Sequence, residues 1–152
     1  AGVGVVREFA SLERDSEIII QRWVMRVGKN HELSKIVITL GARTGHLAQL
    51  IHDLVVRLRQ PHSLEGISTP SLAAMEHGRL RYQQKYTAAL MIEESRMLQV
   101  SIFETLQNNL ASVDFSLLLA DVMTIADEVD SQLAQAVRGY MSADLGAQQK
   151  QA

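Results

Sequence analysis

The sequence predicts an all-α domain, either a five-helix globin-like fold or an up-down helical bundle. Apolar residues recur at intervals of three and four through most of the chain, which is the period of an amphipathic helix. Only two prolines occur in 152 residues. The one β-branched run, residues 33–40, has no second strand to pair with, and a lone strand is not stable. A chain of this length is expected to form one domain with one core.

The N-terminal half predicts two long helices separated by an irregular stretch. Residues 4–28 form an apolar stripe that includes Trp23, the only tryptophan, which is expected in the core. Residues 31–42 are expected to form an irregular connector or a short helix. Residues 43–60 carry the second stripe, and Pro61 ends that helix.

The middle of the chain predicts two more helices. The third runs over residues 70–84, with a capping hydroxyl at Ser68 or Thr69 and proline in the first turn. Its predicted inward residues are Leu72, Met75 and Leu80. The fourth runs over residues 88–110, with Thr87 as its N-cap.

The last predicted helix, residues 114–141, begins at a capping Asp114 and is the longest. Its apolar positions repeat over about four heptads, which is enough for a coiled-coil seam. The predicted dimer and output positions on it are Phe115, Val122, Val129 and Val137. Residues 143–152 are small and polar and are expected to fray. The chain therefore divides into a helical domain, residues 1–142, and a tail, residues 143–152.

Composition argues against several classes of partner. The net charge is -2 with both signs interspersed, so nothing favours nucleic acid or an anionic membrane surface as partner. No apolar run reaches the roughly 18–20 residues of a membrane span, and the start does not resemble a signal peptide. The chain has no cysteine. We expect a cytoplasmic protein.

The sequence contains no motif for catalysis or metal binding. The five histidines are scattered, without HExxH or paired ExxH spacing. There is no GxSxG, and the stretch Gly41–Gly45 lacks the strand and lysine of a phosphate-binding loop. We therefore expect no catalytic residue, no metal and no enzyme activity in this domain.

One polar constellation stands out, formed by His77, Gly78, Arg81, Glu93, Glu94 and Arg96. His77 and Arg81 share one helix face because they lie four residues apart. One interpretation is a structural clamp between consecutive helices, with Gly78 allowing two helices to approach closely. A second is the polar wall of a cavity that senses a ligand. A third is a haem site with His77 as axial ligand, which the aromatic content of 5% disfavours.

These residues also resemble a known family. The HGxxR motif at residues 77–81, Tyr86 and the run EESRML at residues 93–98 are similar to the N-terminal domain of the RsbR/RsbRD group, the co-antagonists of the stressosome pathway. Similar domains precede some bacterial sensor histidine kinases. The matching residues are His77, Gly78, Arg81, Tyr86, Glu94 and Arg96. Lys85 stands where glycine is common, and Gln99 where a second arginine is common.

The resemblance implies a non-enzymatic signal-input domain with a non-haem globin-type fold. Such a domain forms homodimers and regulates a C-terminal output domain, either a kinase core or a STAS domain. Residues 1–142 would be the input domain, and residues 143–152 would lead to a missing output domain. The resemblance implies no cofactor, and it places His77, Arg81, Glu94 and Arg96 in a ligand site or clamp. A haem-binding sensor and a freestanding partner-binding domain are the alternatives.

Overall fold

A computed structural model describes residues 8–60, 71–112 and 115–151 of the chain. All regular structure in these ranges is helical, which confirms the all-α class. The described helices are α1 (Glu8–Arg14), α2 (Ser16–Lys29), α3 (His31–Ser34), α4 (Leu40–Thr44), α5 (Leu47–Arg59), α6 (Leu72–Gln83), α7 (Ala88–Gln107) and α8 (Phe115–Gln151), with a 3₁₀ turn at Leu110–Ser112. The predicted number of five helices was too low, because the N-terminal third is more broken than its apolar stripes indicate.

Local capping explains these breaks. The first predicted helix is interrupted at Asp15, where the backbone leaves helical geometry. Asn30 ends α2 and caps α3, since its side chain accepts hydrogen bonds from the backbone N–H groups of Glu32 and Leu33. Thr39 caps α4 in the same way. The prediction for residues 31–42 was an irregular connector or a short helix. Both occur, because the short helices α3 and α4 are joined by an irregular connector.

The core lies where the α2 and α5 stripes predict. Trp23 is buried, as expected. The buried residues of α5 are Leu47, Leu50, Ile51, Leu54, Val55 and Leu58. Arg22 donates a hydrogen bond to the Thr105 hydroxyl at 2.8 Å, and Arg26 donates one to the Ser101 hydroxyl at 2.9 Å. Since the residue numbers rise on α2 as they fall on α7, the two helices lie antiparallel.

The prediction for the inward face of the third helix was wrong for Leu72, while Met75 and Leu80 are half-buried. Leu72 is 82% exposed, and α6 instead buries Ala74, Gly78 and Arg81. The N-cap is Ser71, whose hydroxyl accepts from the Ala74 N–H at 3.1 Å. The predicted start at Pro70 and the caps at Ser68 and Thr69 lie outside the described residues.

Glycines on α6 and α8 allow these two helices to cross closely. A Cβ placed on Gly78 would lie 1.7 Å from the carbonyl oxygen of Ala136, and one on Gly139 would lie 2.1 Å from that of Met75. The two pairs run in opposite chain directions, so the helices cross antiparallel, backbone against backbone. This is the largest interhelical contact among the described residues. Gly78 therefore has its predicted role, with α8 as the partner.

Helix α8 is longer than predicted. It runs unbroken over 37 residues to Gln151, about 55 Å at 1.5 Å per residue. The fraying predicted for the tail, residues 143–152, was wrong as far as Gln151, since this stretch is rich in helix-forming alanine and glutamine and one glycine does not end a helix. The predicted cap Asp114 lies outside the described residues.

The predicted seam on α8 is not one exposed stripe. Val129 is 3% exposed and belongs to the core of the domain, and Val122 and Val137 are half-buried. Phe115 is the predicted position that faces solvent, at 67% exposure. The seam was wrong because the same period of apolar residues serves packing onto the helices of the same chain. No described helix is both long and apolar enough to cross a lipid bilayer.

Candidate functional site

Three of the four predicted site residues meet in the interior. His77 and Arg81 lie one turn apart on α6 and face Glu94 on α7. The Nε of Arg81 donates to Oε1 of Glu94 at 2.7 Å, and Nε2 of His77 lies 3.1 Å from the same oxygen. Arg81 is 1% exposed and Glu94 3%. A buried ion pair flanked by a histidine therefore joins consecutive helices.

The two terminal nitrogens of the Arg81 guanidinium also donate hydrogen bonds. Its Nη1 donates to the side chain of Gln84 at 2.6 Å and to the carbonyl of Ala42 at 3.3 Å, and its Nη2 donates to the carbonyl of Arg43 at 2.6 Å. The guanidinium carbon lies 4.6 Å from the centre of the Tyr86 ring. Arg81 thus ties α4 to α6 and α7. Sequence reasoning missed α4, because backbone carbonyls leave no residue signal.

Arg96 does not belong to this cluster. It is exposed and pairs with Glu93 at 2.8 Å on the surface of α7. Two residues correspond to about 200° around a helix, so Arg96 faces away from Glu94. The prediction that Arg96 joins the site was wrong for this geometric reason.

Tyr86, which the resemblance also singled out, links the cluster to α8. Its hydroxyl accepts from Nη1 of Arg43 at 3.2 Å, and its carbonyl accepts from the Tyr140 hydroxyl at 2.7 Å. Burial, and next the nearby charge of Glu94, raise the pKa of Tyr86 to about 12. The preceding Lys85 has φ 69°, the left-handed region that glycine adopts without strain.

The Glu94 carboxylate is ionised and only half satisfied. Burial by itself would raise its pKa, but the hydrogen bond to His77 and the charge of Arg81 outweigh burial and lower it. The backbone carbonyl of Glu94 accepts from the indole N–H of Trp23 at 2.9 Å. The second carboxylate oxygen, Oε2, is buried and has no hydrogen-bond partner. A buried acceptor without a partner is costly and calls for an explanation.

A small pocket lies beside this carboxylate. Its volume is about 40 Å³, and His77 and Glu94 line it together with side chains from α2, α5, α6, α7 and α8. Because one water needs roughly 10–15 Å³ by this measure, the space holds about three water-sized groups. The apolar part of the wall includes Trp23, Leu47, Leu50, Met91, Leu98 and Val129.

His46 completes the surroundings of His77. The two rings meet edge to face with centroids 5.7 Å apart, and burial lowers the pKa of His46. Sequence reasoning missed this neighbour, since 31 positions separate the two residues and no spacing rule joins them. The Nε2 of His77, which a haem iron would take in the haem alternative, contacts Glu94.

In the described ranges, no three potential metal-ligating side chains come together. Comparisons with protein-family models, with curated proteins and with solved structures find no match to this chain.

Proposed function

We propose that this chain is the signal-input domain of a bacterial signal-transduction protein, a sensor histidine kinase, and that it regulates a C-terminal output domain without being an enzyme itself. One observation carries the proposal: Ala136 of α8 lines the pocket beside Glu94, and its carbonyl is also the group that packs on Gly78. Ala136 therefore belongs both to the pocket wall and to the close crossing of α6 and α8.

This arrangement couples the pocket to α8. His77 lines the pocket and directly precedes Gly78, so a movement of its side chain acts on the crossing. The second contact, Gly139 on Met75, lies one turn along and locks the register of the two helices. Tightly packed interfaces respond to small changes by switching between discrete arrangements rather than by gradual deformation. A change at Glu94 would thus shift α8 as a unit.

Helix α8 has the length to carry such a shift outward. It extends twelve residues beyond Gly139, about 18 Å, to Gln151. Met141 and Leu145 on this extension are both more than half exposed. We propose that this extension continues into the output domain, a kinase dimerisation helix or, as the resemblance leaves open, the linker to a STAS domain. A cytoplasmic location belongs to the same proposal.

The proposal includes a homodimer formed through an exposed face at the start of α8, which keeps Phe115 of the predicted positions but not Val122, Val129 or Val137. Phe115, Leu119 and Met123 are exposed at four-residue intervals, and the exposed face that they form with Ser116 and Ala120 carries no charge. An uncharged apolar stripe can pair with its own copy without like-charge repulsion. Light scattering should give twice the chain mass for the wild type and a monomer for Leu119→Lys, and a monomeric wild type at high concentration would refute the dimer.

A chimera tests the input function. The chain is fused after Gln151, in helical register, to the phosphotransfer and ATP-binding core of a histidine kinase. Glu94→Gln should change autophosphorylation about fivefold or more, the low end of typical allosteric coupling. Glu93→Gln, its half-buried neighbour, which pairs with Arg96 and does not line the pocket, should leave the rate unchanged. Equal rates in the two variants would contradict the proposal.

A further inference from the structure

We propose that residues 40–46, the α4 strap, form a pH-sensitive latch on the cluster around Glu94. At neutral pH the uncharged ring of His46 holds the α4 strap against His77, and acidification protonates His46 and releases the strap. The inference rests on the proposed input function, because it names acidification as the signal that the domain would detect.

The α4 strap is held by polar contacts rather than by apolar burial. None of the residues of α4 is buried. The carbonyl oxygens of Ala42 and Arg43 accept hydrogen bonds from the Arg81 guanidinium at 3.3 and 2.6 Å. The rings of His46 and His77 meet edge to face with centroids 5.7 Å apart. Because so little apolar surface secures the strap, a change of charge at one of these contacts can detach it.

A positive charge on His46 would meet another positive charge. The ionisable groups of α6 that act on the His46 ring are Glu76, His77 and Arg81. Arg81 is a permanent cation, and Glu94 on α7 is the carboxylate that compensates it in a buried ion pair. Glu76 would attract the cation, but its side chain is about half exposed and lies 3.8 Å from Arg79, so solvent and this pair weaken the attraction.

The position of His46 in the chain adds to this repulsion. It is the N-cap residue of α5, at the positive end of that helix dipole, and its side chain makes no capping hydrogen bond. Arg43, on the strap itself, is a further cation three residues earlier. Burial, and next the electrostatic effect of His77, lower the pKa of His46. In the released strap the ring lies in water with an ordinary pKa of about 6.5, so the released state binds more protons and acidification favours it.

A route from the α4 strap to α8 runs through Tyr86. Nη1 of Arg43 donates to the Tyr86 hydroxyl at 3.2 Å, and the Tyr140 hydroxyl of α8 donates to the Tyr86 carbonyl at 2.7 Å. Release of the strap would remove the Arg43 donor from Tyr86 and two carbonyl acceptors from Arg81. Acidification would therefore act on α8 through Tyr140 and on the buried ion pair through Arg81.

A spin label on the α4 strap tests the latch. The chain has no cysteine, and Gly41 is an exposed strap position where an added Cβ meets nothing within 4 Å, so Gly41→Cys carries one label without disturbing the fold. Continuous-wave electron paramagnetic resonance at room temperature separates immobile label on the docked strap from mobile label on the released strap. As the pH falls below about 6.5, the ratio of mobile to immobile label should rise by up to about tenfold per pH unit, the response to one proton.

Two histidine variants assign the transition to one ring. His46→Asn cannot be protonated and places a residue that is favoured at N-caps, so it should keep the label immobile at every pH. His52→Asn removes an exposed histidine of the same helix and should leave the transition as in the wild type. A transition that persists in His46→Asn, or a label that does not respond to pH in the wild type, would overturn the inference.

Circular dichroism at 222 nm over the same pH range distinguishes release of the strap from unfolding. The helical signal should stay constant while the label becomes mobile. A loss of helical signal that accompanies the rise in mobility would mean that the whole chain unfolds, and this result would also overturn the inference.

The kinase chimera separates this inference from the proposed function. A label that ignores pH, in a protein whose chimera still responds to Glu94→Gln, would overturn the latch and leave the input function standing. A strap that opens on acidification, with a chimera that at low pH ignores both Glu94→Gln and His46→Asn, would support the latch and refute the input function.

Discussion

The close crossing of α6 and α8 predicts that a side chain at Gly139 destabilises the protein. In Gly139→Ala the new Cβ would lie 2.1 Å from the carbonyl oxygen of Met75, where an ordinary contact is at least 3.4 Å. The obstacle is backbone, which cannot rotate away as a side chain would. The helices must therefore separate by about 1.3 Å, the difference between these two distances.

The energetic cost follows from this separation. A gap of about 0.5–1 Å already removes a quarter to a half of the dispersion energy of the atoms facing it, and overpacking in cores costs about 1–3 kcal/mol. The higher helix propensity of alanine offsets up to about 1 kcal/mol of this cost. We expect Gly139→Ala to lower the free energy of unfolding by about 2 kcal/mol and the melting temperature by about 4–8 °C.

Gly146→Ala is the matched control, two turns further along the same helix. A Cβ at Gly146 meets nothing within 4 Å, so the substitution should stabilise the protein slightly through helix propensity alone. Urea unfolding followed by circular dichroism at 222 nm measures both variants. Equal free energies of unfolding for Gly139→Ala and Gly146→Ala would refute the close crossing.

Further predictions concern the buried cluster and its turn. Arg81→Met leaves the Glu94 carboxylate buried without its cation and should cost about 3–5 kcal/mol in urea unfolding; stability equal to the wild type would show that the pair is not buried. Because the folded-state pKa of Glu94 is lowered, its stabilising contribution is present above its ordinary pKa of about 4.3 and is lost as the pH falls below it. The stability difference between the wild type and Glu94→Gln should therefore shrink between pH 6 and pH 3, and a constant difference would contradict this. The lowered pKa of His46 makes protonation favour the unfolded chain, so stability should fall as the pH drops below about 6.5, and His46→Asn should remove that slope. Lys85→Gly should raise the melting temperature, with a gain of about 1 kcal/mol, because glycine relieves the left-handed backbone; a lower melting temperature would contradict it.

Periodicity predicted the parts of the fold that large apolar side chains hold together. The stripe of α5, the buried Trp23 and the cap at Thr87 lie where the sequence places them. The face of α6 could not be predicted this way, since its inward residues are small or charged and its first leucine, Leu72, points to solvent. The closeness of a backbone crossing depends on which helix lies opposite, and the spacing of residues along one chain segment does not contain that information.

The candidate site was predicted in part. The four-residue spacing on α6 and the position of Glu94 on the next helix were enough to bring His77, Arg81 and Glu94 together. The contributions of α4 and of His46 come from distant positions in the sequence, and those of α4 are backbone carbonyls. The burial of the Glu94 carboxylate and the pocket beside it depend on packing in three dimensions, which no motif encodes.

The central claim is that the Glu94 cluster and the far end of α8 move together. The chain has no cysteine, so Ala48→Cys on α5 and Gln149→Cys near the end of α8, both exposed positions, place two spin labels cleanly. Double electron–electron resonance then gives the distance between the two spin labels, measured in labelled protein diluted with unlabelled chain. We expect Glu94→Gln to move the distance distribution by about 1–2 Å or more and Glu93→Gln to leave it in place. Superimposable distributions in the wild type and Glu94→Gln would contradict the coupling.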